Sequence, residues 1–262
     1  MVIPGKSKDM TATDRPSLSK RLEWQLAQVC NVVVETRRVK SLMLKPASWT
    51  GHLPGQHVDI RLTAEDGYQA QRSYSIASPP EDELLTLAVE RVKDGEVSPY
   101  LLDELRVGDQ LELRGPIGGY FVWTGAAREP VYLLAGGTGI TPLMSMLRHR
   151  NRWPSRSPAL LIYSARSWED IVYRDELEAM MRRDASFRIV YALTREQPKN
   201  WTGHWGRINE GLLAENCFPP TQNPRIYVCG PTAFVETAAD LLVNLGFDPL
   251  RIKTERFGPS GG

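Results

Sequence analysis

Residues 131–147 read VYLLAGGTGITPLMSML, and this segment combines three structural signals in a row. The unbroken apolar run Val131–Ala135 is typical of a strand that is buried on both faces, as in a parallel sheet. A glycine-rich turn follows, and the helical pattern of Leu143–Arg150 comes soon after it. The order of strand, glycine turn and helix predicts the first unit of an α/β domain.

The glycine turn is also a candidate binding site, together with the start of the helix. Glycine lets backbone N–H groups approach a phosphate, and a helix N-terminus favours an anion. We expect Thr141 to cap this helix and Pro142 to occupy its first turn. Because the turn lacks the G-x-G-x-x-G pattern, a tight strand–helix connection without a ligand is the alternative.

The rest of the second half continues the alternation of strands and helices. The predicted strands are Ala159–Tyr163, Arg188–Leu193 and Arg225–Cys229, and the predicted helices are Tyr173–Arg183, Glu210–Glu215 and Phe234–Leu245. Such alternation predicts a parallel sheet with helices on both faces. We expect this α/β domain to occupy residues 127–262.

The first half has a different rhythm, with short strands separated by turn residues. The predicted strands are Trp24–Glu35, Val39–Lys45, His57–Leu62, Arg72–Ala77, Leu84–Arg91 and Gln110–Arg114, with one helix at Ser98–Glu104. This pattern predicts a small antiparallel β-barrel over residues 22–126. Residues 1–21 are polar, lack the apolar core of a signal peptide, and are expected to form a flexible tail.

Composition excludes several classes of function. The chain has 262 residues and a net charge of +1, so no global field favours nucleic acid or an anionic membrane. Its three cysteines are widely spaced and provide neither a disulfide framework nor a zinc site, and they are too few for an iron–sulfur cluster. We expect a cytoplasmic protein without a metal, a membrane partner or a nucleic-acid partner.

A second candidate site lies in QRSYSIASPP, residues 71–80. On a strand, Arg72 and Tyr74 point to one face and Ser75 to the other. A guanidinium can hold a pyrophosphate, a tyrosine can pack on a flat aromatic ligand, and a serine hydroxyl can bond a ring nitrogen. A solvated edge strand is the alternative interpretation.

Two further turns could contribute to binding. The segment DGEVS, residues 94–98, opens the predicted helix of the barrel and offers another phosphate site. The segment YVCGPTAF, residues 227–234, places Cys229 at the carboxyl end of a parallel strand, the edge where ligands of α/β sheets gather. The alternative is that Cys229 is a buried structural cysteine.

Taken together, the motifs R-S-Y-S, G-x-x-S, G-G-T-G-I-T-P, C-G-P and E-R-F occur in an order that resembles the ferredoxin–NADP reductase superfamily. The resemblance covers about Trp24 to Pro259. It implies that the barrel binds a flavin, FAD or FMN, through Arg72, Ser73, Tyr74, Ser75, Gly95, Glu96, Val97 and Ser98. It also implies that the second domain binds the NADP pyrophosphate through Gly136, Gly137, Thr138, Gly139 and Thr141, with Cys229, Gly230 and Pro231 near the nicotinamide.

The resemblance also implies where a 2′-phosphate would bind. Thr194 and Arg195 match the hydroxyl and arginine of the NADP-selecting loop, and Arg207 matches its second arginine. Asn209 stands where the family often has a tyrosine that stacks on adenine. We therefore expect NADP rather than NAD, and two solvated surface arginines are the alternative.

The C-terminal segment TERF, residues 254–257, resembles the end of many family members. By this resemblance Glu255 assists proton or electron exchange, together with Ser75 and Cys229 in the catalytic centre, and Phe257 shields the flavin. The segment GPSGG follows Phe257 and extends the chain past that position. The alternative is that Phe257 packs in the core beneath this extension.

The function that we expect from the sequence is a flavoprotein reductase. It would take a hydride from NADPH and pass single electrons to a separate redox protein, such as a ferredoxin, a flavodoxin, an oxygenase or a molybdenum enzyme. A direct reductase of small acceptors and a flavin-bearing regulatory subunit without turnover are the alternatives.

Overall fold

The structure is a computed structural model that describes residues 22–125, 129–152 and 156–257. The expected flexible tail, residues 1–21, and the GPSGG extension, residues 258–262, lie outside the described residues. So does part of the expected boundary near residue 126. These expectations therefore stay predictions.

The first half forms a six-stranded antiparallel sheet, as the alternation of short strands and turns predicted. Its strands are β1 (Gln25–Val34), β2 (Val39–Pro46), β3 (His57–Thr63), β4 (Gln69–Ser75), β5 (Leu85–Glu90) and β6 (Gln110–Ile117), in the order β4-β3-β6-β1-β2-β5. A bridge between Ile76 and Leu87 joins the two ends of the sheet. Helix α1 (Val97–Asp103) packs Val97, Leu101 and Leu102 into the same core.

The second half forms a six-stranded parallel sheet, which confirms the predicted α/β class. Its strands are β7 (Val131–Gly136), β8 (Ala159–Ala165), β9 (Phe187–Leu193), β10 (His204–Trp205), β11 (Arg225–Pro231) and β12 (Ile252–Phe257), in the order β10-β9-β8-β7-β11-β12. Its helices are α2 (Ile140–Arg152), α3 (Arg174–Arg183), α4 (Glu210–Asn216) and α5 (Thr232–Asn244).

Helices cover both faces of this sheet, because alternate residues of its strands enter two different cores. Leu133 and Leu161 pack with Leu143 of α2 and Leu177 of α3 on one face. On the other face, residues such as Leu134, Leu160 and Val228 pack with α4 and α5. The strand Val131–Ala135 is buried on both faces, as its apolar run predicted.

Two features of the second domain differ from the sequence-based expectation. Strands β10 and β12 were not predicted, because neither has the apolar run that marks a buried strand. The expected N-cap role of Thr141 is wrong, since a 3-10 turn at Gly137–Gly139 leads directly into α2 at Ile140. The Thr141 hydroxyl instead donates to the Thr138 carbonyl at 2.7 Å.

The two halves are joined by hydrogen bonds between α2 and the loop after β4. Ser145 Oγ donates to the Ser78 carbonyl at 2.7 Å, and Arg148 Nη1 donates to the Ala77 carbonyl at 2.9 Å. The contact fixes β4 relative to the parallel sheet. Across the described ranges, no helix is long and apolar enough to cross a membrane.

Candidate active site at the junction of the two domains

The three expected catalytic residues come together where the domains meet. Ser75 ends β4 of the barrel, and its hydroxyl donates to Glu255 Oε1 at 3.1 Å. Glu255 lies in β12 of the parallel sheet, and its register partner in the adjacent strand β11 is Cys229. Residues 180 positions apart in the chain therefore form one hydrogen-bonded contact.

Burial controls the charge of this centre. It raises the pKa of the Glu255 carboxyl above 4.5, and the hydrogen bond from Ser75 lowers that pKa in part. Burial also raises the pKa of the Cys229 thiol well above 9.0, and the negative charge of Glu255 raises it further. A thiol with such a pKa is neutral at physiological pH, so Cys229 is a small, uncharged and buried group rather than a thiolate nucleophile.

The other expected flavin-binding residues of the barrel lie on β4 and at the start of α1. Arg72 Nη2 lies 3.9 Å from Glu96 Oε2, and Glu96 is the N-cap residue of α1. Tyr74 shares the face of Arg72 and packs against the barrel core; burial raises its pKa to about 12, although the charge of Arg72 opposes the rise. The tyrosine is therefore a neutral ring that can pack on a flat ligand.

The structure limits what the remaining barrel residues can do. Ser73 Oγ donates to Asp59 Oδ1 at 2.7 Å, and Ser98 Oγ accepts the Val92 N–H at 3.0 Å. Val97 is buried in the barrel core. These three side chains are thus engaged within the protein. Like Gly95, Ser73, Val97 and Ser98 would therefore contact a phosphate through their backbone groups.

The glycine turn is built from close backbone contacts on one side and open space on the other. A Cβ atom at Gly139 would lie 2.1 Å from the Cys229 carbonyl oxygen, which is far inside contact distance. One at Gly230 would lie 3.1 Å from the Gly136 Cα. Gly137 has φ +55°, and a Cβ there would meet no atom within 4 Å. This open, positive-φ position fits a turn whose N–H groups face a phosphate.

A cleft of about 520 Å³ runs along the turn between the two domains. The parallel sheet contributes Gly136, Gly137, Thr138, Pro231 and Phe257 to its walls. The barrel contributes Thr36, Arg38, Val39 and Glu90. A cleft of this size, lined by a glycine turn and a few polar groups, is suited to a dinucleotide.

Three arginines converge on this cleft from the carboxyl ends of neighbouring strands. Arg166 follows β8, Arg195 follows β9 and Arg207 follows β10, and all three line the cleft together with Thr194. A backbone hydrogen bond fixes the positions of two of these arginines relative to each other: the Arg195 N–H donates to the Arg166 carbonyl at 2.9 Å. Asn209 caps α4 by accepting the Leu212 N–H at 2.9 Å, so it takes the role of a helix cap.

Phe257 is the last described residue and lines the cleft. It is the register partner of Pro231, and 37% of its surface is exposed. The alternative that Phe257 packs beneath the GPSGG extension depends on residues outside the described ranges. Both this alternative and the expected shielding role of Phe257 therefore stay predictions.

Comparison with known proteins identifies the family. Residues 23–122 match the model of the oxidoreductase FAD-binding domain, and residues 133–240 match that of the oxidoreductase NAD-binding domain. NADH-cytochrome b5 reductase 1 of Aspergillus terreus is 33% identical over 215 residues, which cover 79% of this chain and 72% of that protein. The chain belongs to the ferredoxin–NADP reductase superfamily.

Other members of the superfamily extend the comparison. The glycine betaine monooxygenase reductase subunit of Pseudomonas aeruginosa is 35% identical over 79% of this chain, but this chain spans only 56% of that protein. The crystal structure of the Amycolatopsis cytochrome P450 reductase GcoB superposes with a TM-score of 0.81 at 27% identity, covering 96% of this chain and 74% of that one.

The cleft residues of this superfamily member that the sequence did not identify include Arg166, Arg38 and Glu90. Arg166 could have been found, because it follows a predicted parallel strand at the edge where ligands gather. Arg38 and Glu90 could not, because they come from the barrel and no local pattern links them to the glycine turn. Only the packing of the two domains brings them to the cleft.

Proposed function

We propose that this chain is a flavin-dependent reductase that takes a hydride from NADPH and delivers single electrons to a separate redox protein. The observation that carries the proposal is the contact of Ser75 with Glu255 beside Cys229. This contact joins the end of the barrel strand that bears Arg72 and Tyr74 to the sheet that bears the glycine turn. Groups suited to a flavin and groups suited to a nicotinamide therefore lie next to one another.

The protein's own residues would bind, orient and protect the reactants. A bound flavin supplies the exchange of a hydride for two single electrons. Arg72 and the backbone at Gly95–Ser98 would hold its phosphates, while Tyr74 packs on its ring. Ser75 would offer its hydroxyl to the ring, and Glu255 would hold or accept a proton through that hydroxyl. The neutral, buried thiol of Cys229 would support the nicotinamide without placing a charge beside it.

The preference for NADPH rests on the arginines beyond β8, β9 and β10. A 2′-phosphate carries a charge that NADH lacks, and a guanidinium can bind it with two parallel hydrogen bonds. Arg195 and Arg207 lie on neighbouring loops of one cleft with Thr194, and Arg166 adds a third cation. This cluster favours NADPH, even though the Aspergillus relative is named for its use of NADH.

An oxygenase component is the acceptor that we favour. The Pseudomonas relative is named as the reductase subunit of a monooxygenase, and the Amycolatopsis structure is titled a cytochrome P450 reductase. Ferredoxin, flavodoxin and molybdenum-enzyme acceptors fit the same chemistry. Direct reduction of a small acceptor would instead proceed without any protein partner.

Flavin binding and electron delivery test this function. The purified protein should be yellow, or should become so on reconstitution with FAD or FMN. It should then reduce an added one-electron protein acceptor, such as a cytochrome, with NADPH as donor. A protein that binds neither flavin would overturn the proposal, and one that reduces only small quinones would favour the small-acceptor reductase.

A further inference from the structure

Two charged residues of the barrel stand against the glycine turn of the other domain. Thr138, in the middle of that turn, donates its hydroxyl to Glu90 Oε2 at 3.0 Å. Arg38 Nη2 lies 3.6 Å from Glu90 Oε1 on the other side of the same carboxylate. Arg38, Glu90 and Thr138 all line the cleft. The Glu90 carboxylate lies between Arg38 and the glycine turn.

The backbone of Arg38 is fixed more firmly than a surface turn requires. Thr36 is buried, and its hydroxyl oxygen accepts the N–H groups of Arg38 at 3.2 Å and Val39 at 3.1 Å. The Arg38 carbonyl accepts the Arg91 N–H at 2.8 Å, and Arg38 Nη2 donates to the Arg91 carbonyl at 3.3 Å. These bonds direct the guanidinium toward the cleft. Arg37 and Arg38 are both exposed, but only Arg38 lines the cleft.

The negative charge of Glu90 disfavours the binding of a phosphate at the neighbouring glycine turn unless a cation lies nearby. The glycine turn offers N–H groups to a phosphate, but a carboxylate beside the turn repels one. A guanidinium binds phosphate oxygens with the same fork of donors that it offers a carboxylate. A phosphate that enters the cleft can therefore replace Glu90 as the partner of the Arg38 guanidinium.

We infer that Arg38 is a nucleotide-phosphate ligand that the barrel domain contributes to the cleft, and that Glu90 is its internal counter-ion, which the phosphate displaces. This inference rests on the proposed function, because it assumes that a pyridine dinucleotide occupies the cleft. It means that a residue outside the nucleotide-binding domain, Arg38, binds the pyrophosphate of the nucleotide. It also makes nucleotide affinity depend on how the two domains pack.

The test compares a ligand that has a pyrophosphate with one that lacks it. NADP⁺ carries both the pyrophosphate and the 2′-phosphate, whereas adenosine 2′-monophosphate carries only the latter. Arg38→Gln should raise the dissociation constant of NADP⁺ about tenfold, the loss of one charge-assisted hydrogen bond, and leave that of adenosine 2′-monophosphate within about twofold. Arg37→Gln is the matched control and should change neither constant.

A double-mutant cycle tests the role of Glu90. Glu90→Gln should tighten NADP⁺ binding several-fold, because the phosphate no longer competes with a carboxylate for Arg38. In the Arg38→Gln background the same change should recover part of the lost affinity, since it removes an uncompensated negative charge. A merely structural role would instead make Glu90→Gln weaken binding in both backgrounds, and that result would overturn the inference.

The outcomes for the inference and for the proposed function are distinct. Unchanged NADP⁺ binding by Arg38→Gln, with a wild-type chain that binds NADP⁺, would overturn the inference alone. An equal loss of affinity for NADP⁺ and for adenosine 2′-monophosphate would also overturn it, because Arg38 would then not act through the pyrophosphate. A wild-type chain that bound neither ligand would overturn the proposed function and the inference together.

Discussion

At the scale of single residues, Glu255 is a candidate catalytic group whose protonation depends on its burial. Its raised pKa means that the folded protein holds this proton more tightly than the unfolded chain does. The stability that follows is fully present below the ordinary pKa of 4.5 and is lost as the pH rises through the folded-state pKa. In flavin-free protein, the melting temperature of wild type relative to Glu255→Gln should therefore fall as the pH rises through that window.

Ser75→Ala provides the control for this titration. The Ser75 hydroxyl lowers the pKa of Glu255, so its removal should move the window to higher pH. Melting curves across the acid-to-neutral range give both results. A wild-type protein that gains stability over Glu255→Gln as the pH rises would show that the carboxyl is stabilised in its charged form.

Nucleotide selectivity is also a property of single side chains. Arg195→Ala and Arg207→Ala should each weaken NADPH by about 10- to 100-fold and leave NADH nearly unchanged, because each removes a charge-assisted hydrogen bond to the 2′-phosphate. Arg188→Ala is a suitable control, since Arg188 is exposed on β9 and contacts the Asn216 carbonyl instead. Equal losses for the two nucleotides would show that these arginines do not recognise the 2′-phosphate.

Phe257 is expected to act as a displaceable cover. Ring stacking contributes about 0.5–1.5 kcal/mol beyond burial, so the nicotinamide can replace the phenyl ring. Phe257→Ala should tighten NADP⁺ binding by about two- to tenfold in the flavin-loaded protein, because no competitor has to leave. Leu250→Ala, at a position that is 90% exposed, should leave the affinity unchanged. Unchanged NADP⁺ affinity in Phe257→Ala, together with a large fall in melting temperature, would contradict this role.

At the scale of elements, the glycine turn has two different requirements for glycine. Gly139→Ala places a Cβ atom against the Cys229 carbonyl and should cost about 3 kcal/mol of unfolding free energy or more, because α2 can no longer pack on β11. The methyl group of Gly137→Ala meets open space, so this change should cost only about 1 kcal/mol of unfolding free energy, because of the positive φ. It should nevertheless weaken NADP⁺ binding. Urea unfolding and NADP⁺ titration of both variants measure this. Equal stability losses would contradict the packing role of Gly139.

The elements also show what the sequence could predict. The strand at Val131–Gly136 and its glycine turn were evident, because a long apolar run and glycine are local signals. Strand β12 was not predicted, since Ile252–Phe257 is mostly polar and forms a strand by pairing with β11. Ser75 and Cys229 were candidate site residues from their own segments, whereas Glu255 was named only through the family resemblance. The contact of Ser75 with Glu255 depends on the packing of two domains.

At the scale of the whole molecule, the candidate active site is formed by contacts between the two domains. Ser75 with Glu255, Glu90 with Thr138, and Ser41 Oγ with Tyr173 OH at 3.1 Å are contacts between the barrel and the parallel sheet domain. They place the end of β4, the glycine turn and the ends of β11 and β12 within one region. We propose that this region transfers a hydride from a nicotinamide to a flavin.

Anaerobic mixing of the flavin-loaded protein with NADPH tests this hydride transfer. The visible flavin absorbance should disappear, an equimolar amount of NADP⁺ should form, and NADPH should act at much lower concentration than NADH. A flavin that stays oxidised with both NADPH and NADH would contradict the account and would favour a flavin-bearing subunit without turnover.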